Sequence, residues 1–400
     1  MKMFNAMQRP DLPGTLLFQP AALLSLPNSV EVSDAQSVNG SGVGAGSQSV
    51  KTAVGEYFER RHFYREIVSR KRGLLAESLT APEVNSFTHA LAQTASTPMS
   101  AKAIKYHRFS LIKVMRASDF SECFIPAICV SLSYSGLEKD NFLYPLRDTC
   151  GCSFYWQPNA AFLGSVKEYL ERQFLVRFWL TKQCRSRVTH ATITELLAGR
   201  RVRHLYCALV AVGQVSVLDI SDFRFPGTCF LVVYGQKNSD HHVRYCAGMS
   251  YAADICDALE KSILELWQTY RFMDLFKAIE SKENKVEDAY LRYFLSCNIY
   301  EAYREVTEGL FFVEVSSEKC KEEFSLSGLL SILNKLGVSG YFYSNCSAVN
   351  GVSCVFSKYV SPDLFLHMNT SRNINLNNKY SEGFESSILR SQLKKMVPFP

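Results

Sequence analysis

The sequence predicts an α+β fold in which mixed sheets pack against long helices. Three observations carry this expectation. Runs rich in Val, Leu, Tyr and Cys, bounded by Gly, Pro and Asn/Asp turn signals, alternate with longer segments of helical periodicity. The 400 residues are 47% hydrophobic, enough for an ample core, and that length accommodates one large domain or two to three smaller ones. No apolar run reaches the roughly 18 residues that span a bilayer, and the longest candidate, LYCALVAVGQVSVLDIS, alternates as sheet does.

Taken in order, MKMFNAMQRPDLPGTLLFQPAALLSLP is broken by Pro13 and Pro20, with Asp11 before its apolar part, and reads as a surface arm rather than a signal peptide. Residues 33–49, SDAQSVNGSGVGAGSQS, read as a flexible loop, so that 1–48 form an arm and a Gly/Ser-rich linker. They are not a P-loop, because Val50 rather than Gly precedes Lys51-Thr52. A helix from Ser49 runs to about Glu77, with SLTAPE as a break beyond it. The polar stretch THALAQTASTPMSAK leads to a strand, IPAICVSLS. After the turn chemistry of DTCGC comes a second long helix, about Asn159 to Lys182. HLYCALVAVGQVSVLDI, GTCFLVVYGQ and VRYCAGMS read as successive strands, and a third long helix runs from about Ala252 to Ile279. GLFFVEVSS and GVSCVFSKYVS are further strand candidates. The main domain is read as 49–385, and 386–400 as a tail ending in Pro-Phe-Pro.

Charge and cysteine usage exclude several classes. A net charge of +6 without a long Lys/Arg tract predicts no nucleic-acid partner, and the absence of an apolar span predicts no membrane partner. The 13 cysteines are scattered through a chain too long to be a disulfide-stapled miniprotein, which predicts a reducing cytoplasm. Cys150 and Cys152 lack a second pair at zinc-site spacing, and His241 and His242 read as a turn tip. His62, on the first motif helix, reads as a surface or packing residue, with a base as the alternative. No spacing identifies a Ser/His/Asp or Cys/His constellation, and the general base is not named.

One pattern recurs three times: a small residue, another four positions on, Glu three later, and Glu or Gln three after that. It reads Ser49, Ala53, Glu56, Glu59; Ala161, Ser165, Glu168, Glu171; and Ala258, Ser262, Glu265, Gln268. On a helix these positions share a face and its flank, so each segment offers acids beside a bare, closely approachable strip. One such pair alone is an ordinary solvated face. Repetition, with Tyr57, Phe58, Tyr169 and Leu170 between the acids, points instead to helices packed on more than one side, whose acids need partners or metal. If the helices converge, five carboxylates and one amide meet at one place. They would repel unless divalent cations sat among them, and hard oxygen ligands suit Mg²⁺ carrying phosphates. The residues therefore predict a nucleotide-using enzyme.

These segments also carry a resemblance. AVGEYFERRHFYREIV, led by Ser49, the segment DTCGCSFYWQPNAAFLGSVKEYLERQFLVRFWL, and SYAADICDALEKSILELWQTY together resemble YcaO-type ATP-dependent azoline cyclodehydratases. The pattern of Gly, Ala, a small residue and ExxER falls on Gly151, Ala161, Ser165, Glu168, Glu171 and Arg172, and E-x-x-Q on Glu265 and Gln268. Within that family, VSPDLFLHMN, NINLNNK and the final KMVPFP are similar to the D-subunit branch of microcin B-type thiazole/oxazole synthetases. Coverage runs from about residue 45 to 400. Three departures stand out: Tyr270 occupies the place of a family Arg, with Arg271 beside it; Thr149-Cys150-Gly151 replaces Ser-Asn-Gly; and the tail keeps only the last two prolines of Pro-x-Pro-x-Pro.

The resemblance implies a YcaO-type fold with its nucleotide site where the three helices converge. It implies ATP-dependent cyclisation of Cys, Ser or Thr in a ribosomally made precursor peptide, with ATP and Mg²⁺ as cofactors. Two partners come with it: a leader-binding subunit related to ubiquitin-activating enzymes and an FMN-dependent azoline dehydrogenase. Glu56, Glu59, Glu168, Glu171 and Glu265 are the candidate metal ligands. Glu59 and Glu171 are the catalytic candidates, joined by Pro400 if the tail enters the site. Ser49, Arg60, Ser153, Arg172 and Gln268 are candidate nucleotide contacts, with Arg60 and Arg172 able either to bind phosphate or to brace the acids. The alternatives are a family member that forms thioamides or amidines, and a catalytically silent scaffold.

Overall fold

The computed structural model describes residues 13–21, 25–35, 38–279, 286, 289–313, 320–349 and 351–399. Strands β1 (Thr15–Gln19), β2 (Asn28–Ser33) and β3 (Asn39–Gly44) form an antiparallel sheet in the order β1-β2-β3. Val30 and Val32 of β2 stand opposite Gly42 and Gly40 of β3. Their shared face covers α1 (Ser47–Arg65). A Cβ at Gly40 would lie 2.3 Å from the Ala53 carbonyl oxygen, and one at Gly42 2.2 Å from that of Ser49. The segment expected to be a flexible loop is therefore partly a strand, and its missing side chains let it lie directly on the helix.

Helix α1 stops at Arg65 instead of near Glu77, where the Glu66 N–H caps onto the His62 carbonyl. The chain then pairs as β4 (Lys71–Gly73) along the edge of β5 (Phe109–Arg116). Thr80 and Glu83 form a capping box that opens α2 (Ala81–Thr94), so the expected polar stretch is helical, followed by α3 (Ala101–Lys105). Strand β6 (Glu122–Pro126) ends at Pro126, which lacks the N–H to extend a ladder, and IPAICVSLS continues as a 3₁₀ turn at Ala127–Cys129. After β7 (Cys152–Tyr155) comes α4 (Pro158–Thr181), then β8 (Gln183–Cys184), β9 (Ser186–Arg187) and α5 (His190–Leu196).

The segment expected as one long strand divides. Val202, Leu205, Tyr206 and Leu209 are buried at helical spacing, which makes α6 (Val202–Val212) a helix, and only β10 (Gln214–Asp219) is extended. Strands β11 (Thr228–Gly235) and β12 (Tyr245–Ala252) lead to α7 (Ile255–Ala278). Then follow α8 (Ala289–Ser296), α9 (Tyr300–Thr307), β13 (Phe311–Phe312), α10 (Leu326–Lys335), β14 (Tyr341–Val349), β15 (Val352–Val360) and α11 (Lys379–Glu382). The rest of GLFFVEVSS falls largely outside the described residues.

Two larger sheets result, one ordered β12-β11-β10-β9, the other β4-β5-β14-β15-β7 with β6 on β5. Helix α7 lies on β11 and β12, while α4 touches β7 and β15 of one sheet and β12 of the other. Being wedged between sheets explains why α4 has no polar stripe: Val166, Leu175, Val176 and Phe178, on different sides of it, are all buried. Among the described residues, no helix is long and apolar enough to cross a membrane.

Candidate nucleotide site

The three motif helices converge, and their acids form a row rather than one knot. At the outer end, Glu56 Oε2 accepts the Ser41 backbone N–H at 2.8 Å, and its other oxygen meets Arg60 at 2.5 Å. The Gln268 amide donates to Ser41 Oγ at 2.9 Å, so β3 ties α1 to α7. Glu31 stands opposite Ser41 in the β2–β3 ladder. Burial and nearby Glu56 push its carboxyl up to about 7, against the pull of Arg60.

Further in, Glu59 takes the Phe154 N–H, and burial followed by repulsion from Glu56 raises its carboxyl to about 7, opposed by Arg60 and Lys358. Glu168 is raised well above the carboxylate range by burial, with Glu59, Glu171 and Asp148 adding to the effect and Arg172 opposing it. Arg172 lies 3.9 Å from Glu168. Glu168, Glu265 and Glu171 together outweigh burial and hold its guanidinium more firmly protonated than usual, yet its buried Nη1 has no hydrogen-bond partner among the described residues.

Glu171 and Glu265 share a second task. β12 is the edge of its sheet, and its Tyr251 and Met249 N–H groups donate to Glu171 Oε2 and Glu265 Oε2, each at 2.7 Å. Each acid thus covers an open sheet edge with one oxygen. Burial and then Glu171 raise Glu265 to about 7, against Arg172 and the Met249 N–H.

Other predicted residues sit differently. Ser49 Oγ donates to the Gly46 carbonyl and Ser153 Oγ to the Ala161 carbonyl, so both buried hydroxyls are engaged by backbone. Tyr270 stacks on Trp267 with ring centroids 5.2 Å apart, and Arg271 lies over the same indole at 5.6 Å with its buried Nε unpartnered among the described residues. His62 is buried, stacked on Phe356 at 4.1 Å, with its nitrogens 2.8 Å from Glu66 and 3.1 Å from the Tyr343 hydroxyl. Pro400 lies outside the described residues, but the chain leading to it is packed in: Val397 and Phe399 are buried, Tyr293 donates to the Met396 carbonyl at 2.7 Å, Tyr245 donates to that of Pro398, and the Phe399 ring lies 5.2 Å from the Arg172 guanidinium.

Glu31, Ser41, Asp148 and Lys358 belong to no repeated pattern and were missed. A serine between Gly40 and Gly42, and a lysine inside the apolar run CVFSKYV, were the available signals.

The donor set is made of carboxylate oxygens, with Glu59, Glu168 and Glu265 holding protons more tightly than usual because they are buried and stand beside one another's charge, next to an Arg172 with a spare donor. Among the described residues no three acids gather around one point. That arrangement fits Mg²⁺ ions completed by phosphate and water rather than an all-protein cage.

A family model described as YcaO cyclodehydratase, ATP- and Mg²⁺-binding, matches residues 40–364. The chain is 32% identical over 392 residues to the microcin B17-processing protein McbD of Escherichia coli, covering 97% of each. It is similar to a chain of the E. coli microcin synthetase McbBCD complex with pro-MccB17 bound, with TM-score 0.87, 31% identity and 97% of each chain covered. It also shares its fold with YcaO from Methanopyrus kandleri bound with AMPPCP and Mg²⁺, with TM-score 0.56, 13% identity, and 88% of this chain and 86% of that one covered.

Proposed function

This chain belongs to the YcaO family of ATP- and Mg²⁺-binding cyclodehydratases, and on that premise we propose that it cyclises Cys, Ser or Thr side chains of a precursor peptide as the D-type subunit of a microcin B17-like synthetase. The side-chain thiol or hydroxyl adds to the preceding backbone carbonyl, giving a tetrahedral hemiorthoamide. Its oxygen takes the γ-phosphoryl group of ATP, releasing ADP. Departure of that oxygen as phosphate, with loss of the amide proton, leaves a thiazoline or oxazoline.

An amide oxygen is a very poor leaving group, and phosphorylation makes it a good one. Phosphoryl transfer asks the protein mainly to position and to balance charge. Glu56, Glu59, Glu168, Glu171 and Glu265 are the residues that would hold Mg²⁺, directly or through water; when bound, it neutralises phosphate charge. Arg172 supplies a buried donor for phosphate, and Arg60 braces Glu56. Residues 49–385 serve as the catalytic domain, and the tail acts through its end, where Phe399 lies beside Arg172. The partners are the precursor peptide, a leader-binding subunit related to ubiquitin-activating enzymes and an FMN-dependent azoline dehydrogenase, in the cytoplasm. The observation that carries this reading is the row of five acids that three converging helices build, with Arg172 beside Glu168, Glu171 and Glu265.

Incubating the chain with both partner subunits, ATP and precursor peptide tests it. The expected result is loss of one water mass per ring, with ADP and phosphate released. A gain of sulfur mass would redirect the reading to a thioamide enzyme. Nucleotide binding with no change in peptide mass would leave a scaffold.

A further inference from the structure

Beneath the acid row lies a buried lysine. Lys358 of β15 is 5% exposed and pairs across the ladder with Cys152 of β7. Its side chain shares a sheet face with Phe356, two residues away, and that face is turned toward α1, where Phe356 stacks on His62 and Lys358 Nζ lies 6.0 Å from the Phe63 ring. Glu59 is one helical turn before His62 and Phe63, on the same face of α1. Lys358 therefore sits at the floor of the row, where it opposes the repulsion felt by Glu59.

Its bonding is incomplete. An ammonium carries three donors, and burying one is costly unless they are used. The single hydrogen bond of Lys358 among the described residues goes to the Asp148 carbonyl at 3.2 Å. No carboxylate among the described residues lies within 4 Å of it, whereas Arg60 closes onto Glu56 at 2.5 Å. A cation present only to neutralise Glu59 would close in the same way. We infer that Lys358 binds phosphate oxygens of ATP, from β15, on the far side of the acid row from Arg172. This rests on the reading of the site as a nucleotide site. It assigns to the row two flanking cations on different elements, a strand lysine at Glu59 and a helix arginine at Glu168, between which a transferring phosphoryl group would be held.

The shared chemistry is an anionic oxygen, which the tetrahedral peptide adduct also offers, so the test separates the two. Affinities of the full chain for ADP and for a non-hydrolysable ATP analogue are measured by calorimetry with Mg²⁺ and without peptide, in the wild type, Lys358→Met and Lys358→Arg. Lys358→Met is expected to weaken the triphosphate about tenfold more than the diphosphate, and Lys358→Arg to recover most of that preference, the size of one charge-assisted hydrogen bond. Equal weakening of both nucleotides, or no change in either, would overturn the inference in favour of simple charge balance. Lost ring formation with nucleotide affinities intact would also overturn it and move the contact to the peptide oxygen. A melting scan accompanies each variant, and Lys358→Gln carries the same comparison if the methionine variant does not fold. Failure of the wild type to bind either nucleotide would sink the reading of the site itself.

Discussion

Glu56 and Glu59 lie one turn apart on the same helix, yet their surroundings are opposite. Glu56 faces the rim, where the Ser41 N–H and the Arg60 guanidinium occupy its oxygens. Glu59 faces inward, toward Glu168 and Lys358, and its carboxyl is pushed up to about 7. At the rim, Glu56 is satisfied by the protein itself. The interior is left with charges that the protein does not fully pair, at Glu59, Glu168, Glu265 and Arg172. A site built to stand alone would pair its acids as Glu56 is paired; unpaired interior charge is what a charged ligand completes.

Four experiments sharpen or break this contrast. Glu171→Ala removes an interior acid, and ADP release and ring formation are expected to fall roughly a thousandfold, on the scale of losing a transition-state charge ligand; a variant that forms rings at the normal rate would defeat the interior assignment. Deleting Pro398 to Pro400 takes away Phe399 from Arg172 and the Pro398 carbonyl from Tyr245. It is expected to cost about a hundredfold in ring formation, the scale of misplacing a reacting group, and intact cyclisation would mean that the tail only packs.

At the rim, Gln268→Ala breaks the tie to Ser41 and is expected to raise the KM for ATP about tenfold while kcat stays within about threefold, the pattern of lost uniform binding. If kcat falls as far as in Glu171→Ala, rim and interior act as one unit.

The smallest effect concerns pH. A carboxyl whose folded-state value lies above its unfolded value of about 4.3 stabilises the fold at low pH and loses that contribution as pH rises through the folded value. Glu59 and Glu265, raised to about 7, therefore make the ligand-free protein progressively less stable as pH rises from about 4.5 to 7. Mg²⁺ with ADP meets the ionised acids without first displacing protons above that window. The rise in Tm that it produces should be larger at about pH 8 than at about pH 5.5, in paired melting scans; an equal rise would show that these acids do not titrate on binding.

Much of the site was legible because helical spacing alone puts Glu56 and Glu59, Glu168 and Glu171, and Glu265 and Gln268 on working faces, whatever the rest of the chain does. The small residues at 53, 161, 165, 258 and 262 marked the same faces as closely packed, and all five are fully buried. The long helices α4 and α7 were placed within a few residues for the same reason. Less was legible where two periods compete. The run from His204 to Val212 is apolar enough for a strand, but its buried residues fall at helical intervals, and the Gly/Ser stretch before α1 has the composition of a linker while serving as a strand.

Local chemistry in the sequence thus determined which residues carry charge, which helices present them and where α4 and α7 lie. Tertiary structure alone decided that the acids would form a row instead of a single knot, that Glu171 and Glu265 would also cover the edge of β12, and that Ser49 and Ser153 would turn their hydroxyls to backbone. It alone brought Glu31, Asp148 and Lys358 to the row. The reason is that spacing within a helix is a property of the chain, whereas the meeting of a strand at residue 358 with a helix at residue 59 depends on how sheets and helices stack, and on the burial that leaves their charges unpaired.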